Sequence, residues 1–236
     1  MKKIVAIHQP NFFPWLGYFE KIVKSDLFVF LDDVQFQQKG SCWGNRVKLL
    51  ISGDPKWISV PIIRKSSLPK YNEIVFDEKQ PWRLKMKKTL AANYPKTPFY
   101  SEVSELIEDI LNQKTDNLTE FNIYAIKSIL RFLDYGSMEL IKSSELGITS
   151  TSTQLLIDIV KNVDGNSYLA GGGAQGYQED ELFKEQGVEL IYQNYQHPRY
   201  QQNSNEFVPG LSIVDALMNL GKDEVRSLLV YASKNV

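Results

Sequence analysis

The chain opens with two kinds of hydrophobic pattern. Residues 4–7 and 27–31 are uninterrupted apolar runs with the length of buried strands, and between them Leu16, Phe19 and Ile22 recur at helical spacing. A strand, a short helix and a second strand in this order predict a βαβ unit with parallel strands. The same rhythm returns later, where strands are expected at residues 138–142, 167–170 and 188–192 with helices between them.

The middle of the chain follows a different pattern. Short strands are expected near residues 47–51, 57–62 and 72–77, and helical spacing then predicts three successive helices between about residues 80 and 135. Three helices exceed the single crossover that a parallel sheet needs, so they indicate a helical layer or insertion. We therefore expect a single α/β domain over residues 1–236, with a mainly parallel, Rossmann-like sheet.

The composition narrows the class of protein. The 236 residues are 43% hydrophobic, enough for a sizeable core, and 27 basic against 28 acidic side chains leave a net charge of −1. Such a balance provides no general attraction to nucleic acid. The single cysteine excludes an internal disulfide, and no apolar run approaches a secretion signal or a membrane span. We expect a cytoplasmic protein without membrane insertion or a nucleic-acid partner, and the oligomeric state stays open.

The loop after the first strand is the leading candidate for a ligand site. Loops at the carboxyl ends of parallel strands face the ligand crevice, and two prolines stiffen this one. Polar side chains beside aromatic side chains are typical of a small-molecule binding site. The alternative is that the aromatic side chains merely plug the core beside a rigid turn. The residues of this loop to which we assign binding are Gln9, Asn11, Trp15 and Tyr18.

Candidate catalytic groups end the first two strands. His8 ends the first, and Asp32 and Asp33 follow the second, so a right-handed crossover would place all three on one rim. An imidazole or a carboxylate there could act as a general base. The alternative is that the two aspartates cap a turn through bonds to the backbone.

Three further segments complete the predicted site. Residues 35–46 contain cations suited to phosphate beside a tryptophan, a glycine run follows the strand at 167–170, and residues 194–209 form a long polar and aromatic loop. Ordinary solvated loops and a flexible turn are the alternatives. No paired zinc ligands are present, so no metal site is predicted. The residues assigned to binding are Lys39, Trp43, Asn45, Arg46, Gly171, Gly172, Gly173, His197, Tyr200 and Gln201.

Several blocks of sequence resemble the WbqC-like family. The first two cover residues 7–22 and 25–36, and later blocks follow in the order of the family at 45–48, 57–61, 168–172 and 200–215. The resemblance extends over nearly the whole chain. Genes of this family are typically associated with bacterial O-antigen and other surface-polysaccharide pathways, so the resemblance implies a pathway context more firmly than a reaction.

Residues 13–22 also resemble the loop that opens HIGH-motif nucleotidyltransferases, which favours a HUP-like form of the Rossmann layer. Tyr18 stands where that pattern has its second histidine, and His8 lies too early to be its first. This second likeness therefore bears on the fold alone.

The crevice and the family context together imply an enzyme of surface-polysaccharide biosynthesis that acts on a nucleotide-linked amino sugar. The expected reaction is amide-forming acyl or aminoacyl transfer, with a small-molecule nucleotide sugar as substrate and the cofactor unknown. A second hypothesis is a non-catalytic protein that binds a nucleotide sugar or a polysaccharide intermediate. Nucleic-acid modification is disfavoured because no sustained basic stripe with interleaved aromatic residues is present.

Overall fold

The first βαβ unit forms as the hydrophobic pattern predicts. The computed structural model describes residues 2–37, 42–63, 68–172 and 179–233. The unit consists of β1 (Ile4–His8), α1 (Leu16–Val23) and β2 (Leu27–Phe30). The two strands pair in parallel, with Ala6 opposite Phe28. Their carboxyl ends therefore lie at one edge of the sheet.

Two antiparallel pairs follow β2 and stand outside the parallel sheet. The first joins β3 (Arg46–Ile51) to β4 (Asp54–Ser59), and the second joins β5 (Ile62–Ile63) to β6 (Val75–Phe76). Most residues of β4 are exposed. This strand therefore lies at the surface of the molecule.

The three predicted helices are confirmed. They are α2 (Trp82–Asn93), α3 (Tyr100–Leu111) and α4 (Leu118–Phe132). The side chain of Asn117 caps α4 by accepting a bond from the backbone N–H of Glu120 at 3.0 Å. The connection from β2 to the next strand of the main sheet thus contains both antiparallel pairs as well as the three helices.

The second half of the chain completes the sheet. It contains β7 (Glu139–Lys142), α5 (Ser152–Asn162), β8 (Ser167–Ala170), α6 (Asp180–Glu185) and β9 (Glu189–Tyr192). The strand order is β7-β2-β1-β8-β9, and every neighbouring pair is parallel. This is the α/β, Rossmann-like architecture that the sequence predicts.

The strands of the sheet divide the core into two layers. Phe28 and Phe30 of β2 point to one face, where they join a cluster that includes the insertion helices. Leu27 and Val29 point to the other face and pack with Ile157 of α5. The alternation explains why β2 is a continuous apolar run, since both of its faces are covered.

The last helix covers the first. α7 (Ile213–Ser233) packs against α1 and is interrupted at Gly221, whose φ of 73° no L-residue adopts easily. Among the residues that the structure describes, no helix has both the length and the apolar character needed to span a membrane.

Candidate functional site

A cavity of about 1170 Å³ opens at the carboxyl end of β1. After β1 the chain builds β2 and β7 on one side and then crosses over to build β8 and β9 on the other. The crevice beside such a topological switch point is where open α/β sheets bind ligands. Residues of β1 and the loop after it, of α1, of the segment after β2, of α5, and of β8 and its end line the cavity. They include His8, Gln9, Asn11, Trp15, Lys21, Gln35, Gln37, Cys42, Trp43, Tyr71, Ser152, Thr153, Tyr168 and Gly171.

His8 presents an unprotonated nitrogen in this cavity. Its Nδ1 lies 3.1 Å from the carbonyl oxygen of Gln9, and a carbonyl only accepts, so the neutral ring carries its proton on Nδ1 and a lone pair on Nε2. Burial, with a smaller effect from the charge of Lys21, lowers the pKa of His8 to about 3. The imidazole is therefore neutral at pH 7.

The ring of Tyr18 packs against the imidazole of His8. It is buried, its ring meets the imidazole edge-on at 4.9 Å, and its hydroxyl donates to the Gln9 carbonyl at 2.9 Å. Burial raises the pKa of Tyr18 well above its usual value. Tyr18 is not part of the cavity lining, so its predicted contact with ligand stays a prediction while its contact with His8 is observed.

Lys21 is the charged residue that the sequence analysis missed. Only 2% of it is exposed, its Nζ donates to the carbonyl oxygen of Ile7 at 2.8 Å, and it lines the cavity. Burial lowers the pKa of Lys21 to about 7. One signal could have found it, because Lys21 follows Tyr18 by three residues and so shares a face of a short helix between buried strands.

Asp32 and Asp33 lie outside the cavity lining. Asp32 is 2% exposed and accepts bonds from the Ser143 hydroxyl at 3.1 Å and from the Ser144 N–H and hydroxyl at 3.0 and 2.7 Å. Asp33 also lies within hydrogen-bond distance of the Ser143 hydroxyl, whose single proton the two carboxylates share. The two carboxylates therefore hold the turn after β7, on the side of β2 away from β8. They share a sheet edge with His8, but the structure does not bring them into the cavity, and their catalytic role stays a prediction.

A row of three tryptophans extends outward from the cavity. Trp43 lines it beside Trp15, with ring centroids 5.0 Å apart, and meets the half-exposed Trp57 edge-on at 4.7 Å. The guanidinium of Arg46 lies 4.2 Å from the Trp57 ring centre, and its Nε donates to the Cys42 carbonyl at 2.6 Å.

Two residues of the loop at 35–46 that were assigned to binding, Asn45 and Arg46, do not contribute to the lining. Asn45 donates to the Val60 carbonyl at 3.0 Å, and neither Asn45 nor Arg46 lines the cavity. Lys39 lies outside the described residues. The phosphate-binding roles predicted for Lys39 and Arg46 therefore find no support in the observed contacts and stay predictions.

The glycine run contributes one residue to the cavity. Gly171 lines it and Gly172 does not, whereas Gly173 lies outside the described residues. A β-carbon on Gly172 would sit 3.4 Å from the Gln193 carbonyl oxygen. This distance is close to ordinary van der Waals contact, so Gly172 packs beside Gln193 without lining the cavity.

In the loop at 194–209, the residues predicted to bind ligand form hydrogen bonds with other groups of the protein. The Tyr200 hydroxyl donates to Asp215 at 2.8 Å, the Gln201 amide donates to the Gln202 carbonyl at 3.2 Å, and His197 accepts at Nδ1 from the Gly210 N–H at 3.3 Å. None of these three side chains lines the cavity. Their binding roles stay predictions.

The described ranges contain no group of three or more histidine, cysteine, aspartate or glutamate residues placed to hold a metal ion. Among the described residues that line the cavity, the polar side-chain groups are amides, hydroxyls, indole N–H groups, one thiol, one imidazole and one ammonium group. This chemistry suits an organic ligand with hydrogen-bonding and ionic groups.

Fold and site together define the class, an α/β protein with a Rossmann-like parallel sheet and a ligand-sized cavity at its switch point. The chain belongs to the WbqC-like protein family, whose model matches residues 9–227. It is 29% identical over 226 residues to a protein of Mycobacterium tuberculosis named "Uncharacterized protein Rv1507c", covering 94% of this chain and 96% of that protein. No solved structure matches the chain significantly. The resemblance to the family is thus confirmed.

Proposed function

We propose that this protein is a cytoplasmic transferase of bacterial surface-polysaccharide biosynthesis that forms an amide on a nucleotide-linked amino sugar. The observation that carries the proposal is the cavity at the switch point, where a neutral imidazole faces a volume of about 1170 Å³. Cavities of roughly 300–1,000 Å³ hold drug-sized ligands, so this one has room for a nucleotide sugar. The association of the WbqC-like family with surface-polysaccharide pathways supports the choice of a nucleotide-linked amino sugar as the substrate.

The two walls of the cavity suit the two halves of such a substrate. Trp15 and Trp43 offer flat apolar faces on which a nucleobase can stack, and Gln9 and Asn11 offer amide groups for sugar hydroxyls. The mixture of aromatic and amide groups is typical of sites where a few polar contacts orient a ligand.

His8 is the proposed general base. In amide formation the sugar amine attacks the acyl carbon of an activated donor, such as a thioester or an acyl phosphate. The C–N bond forms, the bond to the leaving group breaks with its electron pair, and the amine loses a proton. Nε2 of His8 carries the lone pair that accepts this proton, while Nδ1 stays bonded to the Gln9 carbonyl.

The test is to incubate the purified protein with nucleotide amino sugars, activated acyl or aminoacyl donors and ATP, and to search for amide products by mass spectrometry. A product that gains the mass of the acyl group, and that appears only with active protein, supports the proposal. Tight binding of the nucleotide sugar without conversion overturns the enzymatic part. That result would favour the second candidate, a non-catalytic binding protein, for which the same cavity suffices.

A further inference from the structure

The described lining of the cavity contains one ammonium group and no carboxylate. Lys21 is its only lysine or arginine, and no aspartate or glutamate of the described residues accompanies it there. The bond observed for its Nζ goes to the neutral carbonyl of Ile7 at 2.8 Å, and the Tyr168 ring centre lies 5.7 Å away. A buried charge normally has a counter-ion, because its removal from water costs free energy. The counter-ion of Lys21 is therefore expected from outside the chain.

Lys24, the residue directly after α1, provides the contrast. Its ammonium forms a salt bridge with Glu20 at 2.9 Å, and the Gln193 amide also bonds to this glutamate. Neither Lys24 nor Glu20 lines the cavity. The fold thus pairs Lys24 with a carboxylate of α1, whereas Lys21 lines the cavity without one.

Two further features of the same cavity favour an anion. Asn11 is only 3% exposed and lines the cavity, and its side-chain amide has no hydrogen-bond partner within the ranges described. The first turn of α5 also lines it through Ser152 and Thr153, and Thr151 before the helix provides no side-chain cap. The first N–H groups of an uncapped helix carry partial positive charge and need an acceptor.

We propose that Lys21, Asn11 and the first turn of α5 form an anion subsite that binds the diphosphate of the ligand. The assignment of the anion as a diphosphate rests on the proposed function, in which the substrate is a nucleotide sugar. An ammonium group and free helix N–H groups are the common elements of phosphate sites. The subsite contains a cation that lines the cavity, while the roles of Lys39 and Arg46 stay predictions.

The subsite couples ligand binding to proton uptake. Because burial lowers the pKa of Lys21 to about 7, much of the side chain is neutral above that pH, and a bound dianion favours the protonated form. The histidine and the tyrosines around it keep one protonation state from pH 6 to 9. His8 on β1 is neutral, with a pKa near 3, and burial raises the pKa of Tyr18 on α1, of Tyr168 on β8 and of Tyr71 across the cavity. The thiol of Cys42 is the remaining titratable group of the lining, and the Glu20–Lys24 pair lies outside it.

Nuclear magnetic resonance of ¹³C-labelled lysine ε-carbons measures this coupling, with inorganic pyrophosphate as the probe. In the full-length protein the Lys21 signal, assigned by its loss in Lys21→Met, is expected to titrate near pH 7. With saturating pyrophosphate the midpoint should rise by at least about one pH unit, which corresponds to at least tenfold preference of the anion for the protonated lysine. A midpoint that does not move with pyrophosphate overturns the proposal.

The matched control is Lys161→Met, at the far end of α5, where the lysine is exposed and bonds to Gln186. This variant should bind pyrophosphate as the wild type does, whereas Lys21→Met should bind it at least tenfold more weakly; equal binding by both variants overturns the subsite. Lys21→Arg keeps the charge at every pH and should restore binding if the methionine variant folds poorly. Product formation without a shift in the Lys21 midpoint removes the subsite alone, and a shift without product removes the proposed transferase alone.

Discussion

The Ser144 hydroxyl donates to the Asp32 carboxylate at 2.7 Å across 112 residues of chain. This bond and its neighbours attach the end of β2 to the turn after β7. Asp32→Ala leaves the Ser144 N–H and hydroxyl without their acceptor, while the Ser143 hydroxyl keeps Asp33, so the variant should lower the free energy of unfolding by about 1–3 kcal/mol. Urea denaturation measures the change.

The control for that variant is Asp109→Ala on the exposed face of α3, which should change stability by no more than about 0.5 kcal/mol. A catalytic role for Asp32 predicts a different result. Asp32→Asn would then fold with wild-type stability and lose turnover, and that outcome would contradict the purely structural role.

His8→Ala tests the proposed base. Loss of the imidazole should leave the fold intact and lower the rate of amide formation by about 10²–10⁴-fold, the usual contribution of a positioned base. Asp109→Ala is the control, because this residue is exposed on α3 and lies outside the cavity lining. Steady-state rates of both variants decide the matter. An unaltered rate in a folded His8→Ala protein would remove His8 from the mechanism.

Lys21→Met should stabilise the protein, because it removes a buried charge. The pKa of Lys21 falls from 10.5 to about 7 on folding, so the folded state binds fewer protons between those values and wild-type stability rises with pH across that window. At about 1.4 kcal/mol per pH unit, the variant should gain up to about 5 kcal/mol below pH 7 and progressively less toward pH 10.

Urea unfolding of both proteins at pH 6, 8 and 10 measures this dependence. Lys161→Met serves again as the control. Because Lys161 is exposed, the difference in stability between this variant and wild type should not change with pH. A constant difference between Lys21→Met and wild type at all three values would show that the burial of the ammonium group is not the cause.

Gly17→Ala should disturb both the fold and the mouth of the cavity. A β-carbon at this position would lie 2.7 Å from the Tyr195 ring and 2.8 Å from Trp15 Nε1, closer than packed atoms approach. Displacing these rings should cost about 1–3 kcal/mol and shift the tryptophan fluorescence. Gly171→Ala is the control for stability, because a β-carbon there would meet no atom within 4 Å. Equal melting temperatures of the two variants would contradict this account.

Local patterns were sufficient for the elements of the fold. The apolar runs of β1 and β2 and the helical spacing of α1 depend on neighbouring residues, so the sequence alone predicted the βαβ unit and the parallel sheet. The rule that parallel strands end at one edge also led to the loop after β1, where the structure places His8, Gln9, Asn11 and Trp15 together on the cavity.

The directions of charged side chains were decided only by the tertiary structure. Asp32 turns toward Ser144 because the turn after β7 brings hydrogen-bond donors there, and Arg46 lies on Trp57 because β3 and β4 pair. Lys21 reads as an ordinary helix lysine until the fold buries it beside the Ile7 carbonyl and the Tyr168 ring. Hydrophobic periodicity is encoded within a few residues, whereas the partners of a charge are brought to it by the fold, and those of Asp32 lie more than 100 residues away in the chain.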